Sequence, residues 1–116
     1  MTLHITPAII EAAYVLICET PPFRRWKLPS PDDLEFYAVP LPDNDQGELM
    51  KKQDGKYRIT VNPNRHKTLR SMLETLAHEV AHIRQDQLGK KDHHGKSFQK
   101  LARQICTIHL FDEGQF

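Results

Sequence analysis

The segment from Lys67 to Leu88 constrains this chain more than any other. At about 100° per residue, Leu69, Met72, Leu73, Leu76, Val80 and Ile83 fall on one apolar stripe. Ser71, Thr75, His78, His82 and Gln85 fall on the opposite side. Such a stretch predicts a helix that buries one side in a core and presents two histidines on the other. Gly89 supplies its stop.

Around this helix the chain reads as a single domain. Its 116 residues are too few for two ordinary ones. With 39% hydrophobic and 27% charged residues, the composition excludes a disordered chain. No apolar run approaches the roughly 20 residues of a membrane span, because Glu11 interrupts the longest candidate, Ala8 to Cys18. Thr6-Pro7 predicts a helix start, with Thr as cap and Pro in the first turn, and Pro21-Pro22 predicts its end. Three extended segments are expected next: Leu34 to Pro40, Gly47 to Gln53 and Lys56 to Val61. In the last, Tyr57, Ile59 and Val61 alternate with Arg58 and Thr60, and Asp54-Gly55 before it reads as a hairpin turn. After the histidine helix, a polar loop over Lys90 to Lys96 leads to a last amphipathic helix from about Ser97 to Phe111. Phe98, Leu101, Ala102, Ile105 and Ile108 form its stripe. The order helix, three strands, helix, helix is that of an α+β domain.

The histidines carry the chemistry. His78-Glu79-Val80-Ala81-His82 is an HExxH motif, and residues four apart on a helix project about 40° from one another, so both imidazoles can reach one metal ion. Imidazole suits zinc, and a catalytic zinc site takes three protein ligands and leaves a position for water. Glu79 then stands where it can take a proton from water activated by the metal. Seven His and seven Glu in this length make an accidental match rare, about 0.02 expected occurrences. Ala77 and Ala81 flank the histidine side as small residues would if another segment packed closely there.

A third ligand must come from downstream, where the candidates are Asp86, Asp92, His93, His94, His109 and Glu113. Asp86 is one turn beyond His82 and its short side chain is poorly placed. The metzincin continuation is absent, since Gln85 and Leu88 stand where its Gly and His would be. His93 and His94 lie where the chain turns back. His94 is favoured because Gly95 after it gives the backbone room to bend into the last helix, with Phe98 packing beneath.

His78-Glu79-Val80-Ala81-His82, eleven residues, then His94-Gly95-Lys96-Ser97-Phe98 resembles the SprT-like (Spartan-type) zinc metalloprotease family. The likeness spans roughly Lys56 to Cys106. It implies a minimal zincin-like domain, expected over residues 1–116 as an N-terminal helix, a mainly antiparallel three-stranded sheet, the HExxH helix and a C-terminal helix. Many members carry a four-cysteine zinc ribbon, which two cysteines cannot supply, so here no ribbon or other C-terminal extension is expected. It implies Zn2+ held by His78, His82 and His94, with Glu79 as general base in peptide-bond hydrolysis. It also makes the strand Tyr57 to Val61 the edge along which an extended peptide lies. No oxyanion-stabilising residue is assigned; His66, Arg65 and Arg70 are candidates by proximity.

Net charge is only +1, but from Arg65 to Arg103 nine Lys/Arg face four acids, while acids gather between Asp32 and Asp54. That basic half admits DNA-associated proteins as substrates. It also admits an alternative function, a metal-stabilised zincin-fold module that binds nucleic acid or a protein without cleaving it. The N-terminus lacks a basic n-region and a small-residue cleavage site, so a cytoplasmic monomer is expected, acting on protein or peptide away from membranes. Cys18 and Cys106 are expected as free thiols in apolar helical segments.

Overall fold

The computed structural model describes residues 3–116. Helix α1 (Pro7–Cys18) is capped by Thr6, whose hydroxyl accepts from the Ile9 N–H, with Pro7 in the first turn. Strands β1 (Leu34–Ala38), β2 (Gly47–Lys51) and β3 (Tyr57–Val61) follow, then helices α2 (Leu69–Gln87) and α3 (Lys96–His109). The expected α+β order of three helices and three strands is present. Among the described residues no helix is long and apolar enough to cross a membrane.

The sheet is mixed rather than mainly antiparallel. β2 and β3 form the expected hairpin, with Gly55 at φ 87 in the connecting turn. β1 instead joins the far side of β3 and runs parallel to it, pairing Leu34 with Tyr57 through Ala38 with Val61. A parallel neighbour needs a long crossover. The eight residues between β1 and β2, with the hairpin beyond them, carry the chain across. β3 is therefore the central strand, hydrogen-bonded on both sides, and it is not the free edge assigned to it above. Its residues explain the choice: Ile59 and Val61 are fully buried and Thr60 on the other face is buried too. The free edge beside the histidine helix belongs to β2.

α1 packs on β1, α2 packs on α1, β2 and β3, and α3 packs on α2, so α2 is central. Met72, Leu76, Val80 and Ile83 form its innermost row, with no exposed surface. Leu69, in the first turn, is instead solvent-exposed, and Leu73 is half-buried. Ala77 and Ala81 are completely buried. The polar side of α2 is buried as well, at Thr75, Glu79 and Gln85, because β2 and the loop before α3 cover it. α3 buries Phe98, Leu101, Ala102 and Ile105 and leaves Ile108 exposed near its end, where Leu110 turns the chain through a left-handed conformation. Cys106 is buried and Cys18 half-buried, both as free thiols.

Candidate metal centre

Local sequence chemistry sets the two elements that carry the histidines. Thr68 caps α2 by accepting from the Ser71 N–H. Gly89, at φ 70, ends the helix: its N–H donates to Asp86 and the next, that of Lys90, to Gln85, so the last carbonyls are satisfied. The chain then turns through His93, at φ 46, and re-enters a helix at Gly95. Glycine is required there by space. A Cβ at 95 would lie 2.6 Å from Asp92 Oδ2, and the Asp92 carboxylate caps α3 by accepting from the Ser97 N–H at 2.9 Å and from its hydroxyl.

This turn lays His94 over His78 and His82. The three Nε2 atoms are mutually 3.2 Å apart in every pair. Three ligands about 2.05 Å from one tetrahedral ion would stand about 3.3 Å apart, so the spacing fits a zinc-sized site. The donor chemistry fits as well. His78 Nδ1 is 2.5 Å from the Phe116 carbonyl, which only accepts, so Nδ1 carries the hydrogen and the bare Nε2 faces inward. His82 Nδ1 is 2.6 Å from Gln85 Oε1 and is oriented likewise. Lone pairs converging at 3.2 Å repel unless a cation or proton lies between them. Burial pushes the His78 imidazole down to about 4, with His82 and His94 adding to the effect, and lowers His82 in the same way; both are neutral imidazoles, ready to bind a metal. Phe98 floors the site, stacked on His82 with centroids 4.6 Å apart and packed against His78 and His94 at 4.7 and 5.1 Å.

Glu79 lies in the same cleft, 6% exposed. Burial, seconded by the charges of Glu48 and Asp45, pushes its carboxyl up to about 8. β2 approaches it closely through Gly47, where a Cβ would stand 3.1 Å from Glu79 Oε2 and 2.6 Å from Thr75 Cγ2. The cleft, about 750 Å³, lies between β2 and α2 and is lined also by the loop before α3, through Lys90, Lys91, His93 and His94, and by Gln115 and Phe116.

The other candidates lie outside the cluster. His93 lines the cleft but its ring does not join the cluster. Asp86 accepts from the Tyr57 hydroxyl and from Lys51 at 2.9 Å, which in that order hold its carboxyl below the usual range. Asp92 caps α3, His109 bonds the Pro21 carbonyl at 2.9 Å, and Glu113 pairs with Arg103 at 3.6 Å. None of the three oxyanion candidates lines the cleft. Arg65 donates to the Asn44 carbonyl, Arg70 to that of Leu110, and His66 is buried between Ser71 and the Gln46 carbonyl. Sequence reading gave no role to Gly47, Phe116 or Gln85. The position of Gln85 on the histidine side of the helix was the only signal, and Gly47 and Phe116 carried none.

No curated protein and no solved structure matches this chain. A family model, that of the SprT-like family, matches residues 42–113, which include β2, β3, the HExxH helix, the loop with His94 and all of α3. With more than half of its length matched, the chain belongs to the SprT-like family.

Proposed function

We propose that this chain is a zinc-dependent metallopeptidase of minimal zincin-like architecture, with His78, His82 and His94 as ligands and Glu79 as general base. The observation that carries the reading is the convergence of three imidazole nitrogens 3.2 Å apart beside a buried carboxylate on an open cleft. Zinc bound there would polarise the scissile carbonyl and bring the pKa of water from about 15.7 towards 7.

The remaining work falls to the chain's own groups. Glu79 takes the proton from the attacking water and returns it to the leaving amine. Its dry surroundings raise its affinity for a proton, which lets it hold that proton between the two steps, and the positive charge of a bound metal would favour the ionised form that first accepts it. Phe98 and Phe116 exclude water from the inner side of the histidines. The unpaired edge of β2 supplies backbone groups for an extended polypeptide, which would lie between β2 and α2. Substrates are unfolded or extended segments of proteins, DNA-associated ones among them in view of the basic half of the chain.

Metal analysis of the purified protein should give about one zinc per chain, lost in His78→Ala. Glu79→Gln should keep the zinc and lose cleavage of an unfolded protein substrate, with or without DNA. Absence of zinc in the wild type overturns the reading. Equal behaviour of wild type and Glu79→Gln would favour a metal-stabilised binding module instead.

A further inference from the structure

Gln85 is an uncharged polar side chain near the end of α2, 4% exposed, lining the cleft beside His82 and Asp86. Its Oε1 lies 2.6 Å from His82 Nδ1, and its Nε2 lies 2.7 Å from the His93 carbonyl and 2.9 Å from Ser97 Oγ. The partners decide which way the amide faces. The His93 carbonyl can only accept, so the atom against it is the NH2 group and the atom against His82 is the carbonyl oxygen. His82 Nδ1 must then carry the ring hydrogen, which leaves Nε2 bare towards the other two histidines.

The two donor contacts fall on the residue before His94 and on the third residue after it. His94 is itself exposed, and its loop includes the left-handed His93. Such a backbone conformation persists only where neighbours hold it. We infer that Gln85 is a positioning residue that couples two ligands of the centre: one end of its amide sets the tautomer of His82, and the other clamps the loop that presents His94. The inference rests on the reading of the triad as a zinc site. It also explains the residue type. Glu at this position would still accept from His82 but would turn an anionic oxygen on the His93 carbonyl, and Met would fill the volume while making neither bond.

Zinc affinity, read by competition with a chromophoric chelator, tests this apart from any proteolysis. Gln85→Met should bind zinc about 10- to 100-fold more weakly than the wild type, the usual cost of losing an outer partner of a ligand. Its cobalt-substituted form should show an altered visible spectrum. In a His94→Ala background the same change should cost a smaller factor, because no ligand remains for the loop to deliver. Gln85→Glu, which keeps size and polarity, should lose about fivefold or more through the loop alone and serves if the Met variant does not fold. Wild-type affinity within twofold in either variant, or a lowered melting temperature of the metal-free protein with unchanged affinity, overturns the inference. A wild type that binds no zinc counts against the proposed function instead.

Discussion

Gly47 sits where the edge strand comes closest to the proposed base, and Gly47→Ala measures how close that approach is. The Cβ would meet Thr75 Cγ2 at 2.6 Å, against 3.4 Å for the shortest ordinary contact, a deficit of about 0.8 Å. It would also stand 3.1 Å from Glu79 Oε2 and 3.2 Å from the Thr60 carbonyl. Thr75 cannot easily rotate away, because its hydroxyl donates to Gln46 Oε1 and the residue is buried. β2 and α2 must therefore separate or both side chains must shift. Overpacking of this kind costs about 1–3 kcal/mol. For 116 residues the unfolding entropy is about 0.24 kcal/mol/K, so the melting temperature should fall by about 4–12 °C.

A shift of Glu79 by even part of that distance should lower kcat/KM on an unfolded protein substrate by about 10- to 100-fold. Zinc content should stay at the wild-type level, since the atoms nearest the new Cβ belong to Thr75, Glu79 and Thr60 and to none of the three histidines. Thr75→Ser removes the clashing methyl and keeps the hydroxyl. Gly47→Ala with Thr75→Ser should therefore recover more than half of the lost melting temperature, with a coupling of about 0.5–3 kcal/mol. Activity should recover only in part, because the contact with Glu79 remains. If Gly47→Ala melts within 1–2 °C of the wild type (about 0.2–0.5 kcal/mol on the same scale), or if the two changes simply add, the strand does not approach the helix as described and the reasoning fails.

Phe98→Ala removes the floor under all three imidazoles and should cost about 3–5 kcal/mol in urea denaturation, with weaker zinc binding; a variant that is destabilised but holds zinc as tightly as the wild type would show that the ring supports the core and not the centre. His66 is buried, which lowers its imidazole below the ordinary value, with Arg65 adding to the effect, so it stays neutral in the fold while the unfolded chain takes up a proton below about pH 6.5. Its contribution to stability is thus present above that pH and declines as pH falls. The stability gap between metal-free wild type and His66→Gln, measured by urea unfolding, should narrow from pH 7.5 to pH 5, and a constant gap refutes the assignment.

The parts of this fold legible in the sequence are those governed by local rules. Thr6-Pro7 at the start of α1, Gly89 after α2 and the Asp54-Gly55 turn each act within a few residues, and the elements they bound lie close to where the spacing puts them. Sheet order is a different kind of fact. Alternation in Tyr57 to Val61 indicates a strand with a buried face, yet it is silent on whether the second face and both edges are covered. Pairing of β3 on its second side comes from β1, whose parallel docking depends on contacts more than twenty residues away. The same holds for α2, where periodicity separates an apolar side from a polar one but cannot say that the polar side is also enclosed.

That enclosure is what turns a motif into a centre. Two histidines a turn apart on a solvated helix would be ordinary titrating imidazoles. Here Phe98 beneath them, the Phe116 carbonyl behind His78 and the Gln85 amide behind His82 remove water and leave each Nε2 bare. Each of these groups comes from a different stretch of chain, and none has a residue type that announces the role by itself. Glutamine at position 85 is legible only once the His93 carbonyl is known to face it, because the same amide on an open helix would bond to water. The proposed ligand set therefore follows from spacing along one helix and one turn, whereas the affinity expected of it depends on contacts between elements. Substitutions that spare all three histidines, Gln85→Met and Phe98→Ala, should accordingly separate the presence of the motif from the working of the site.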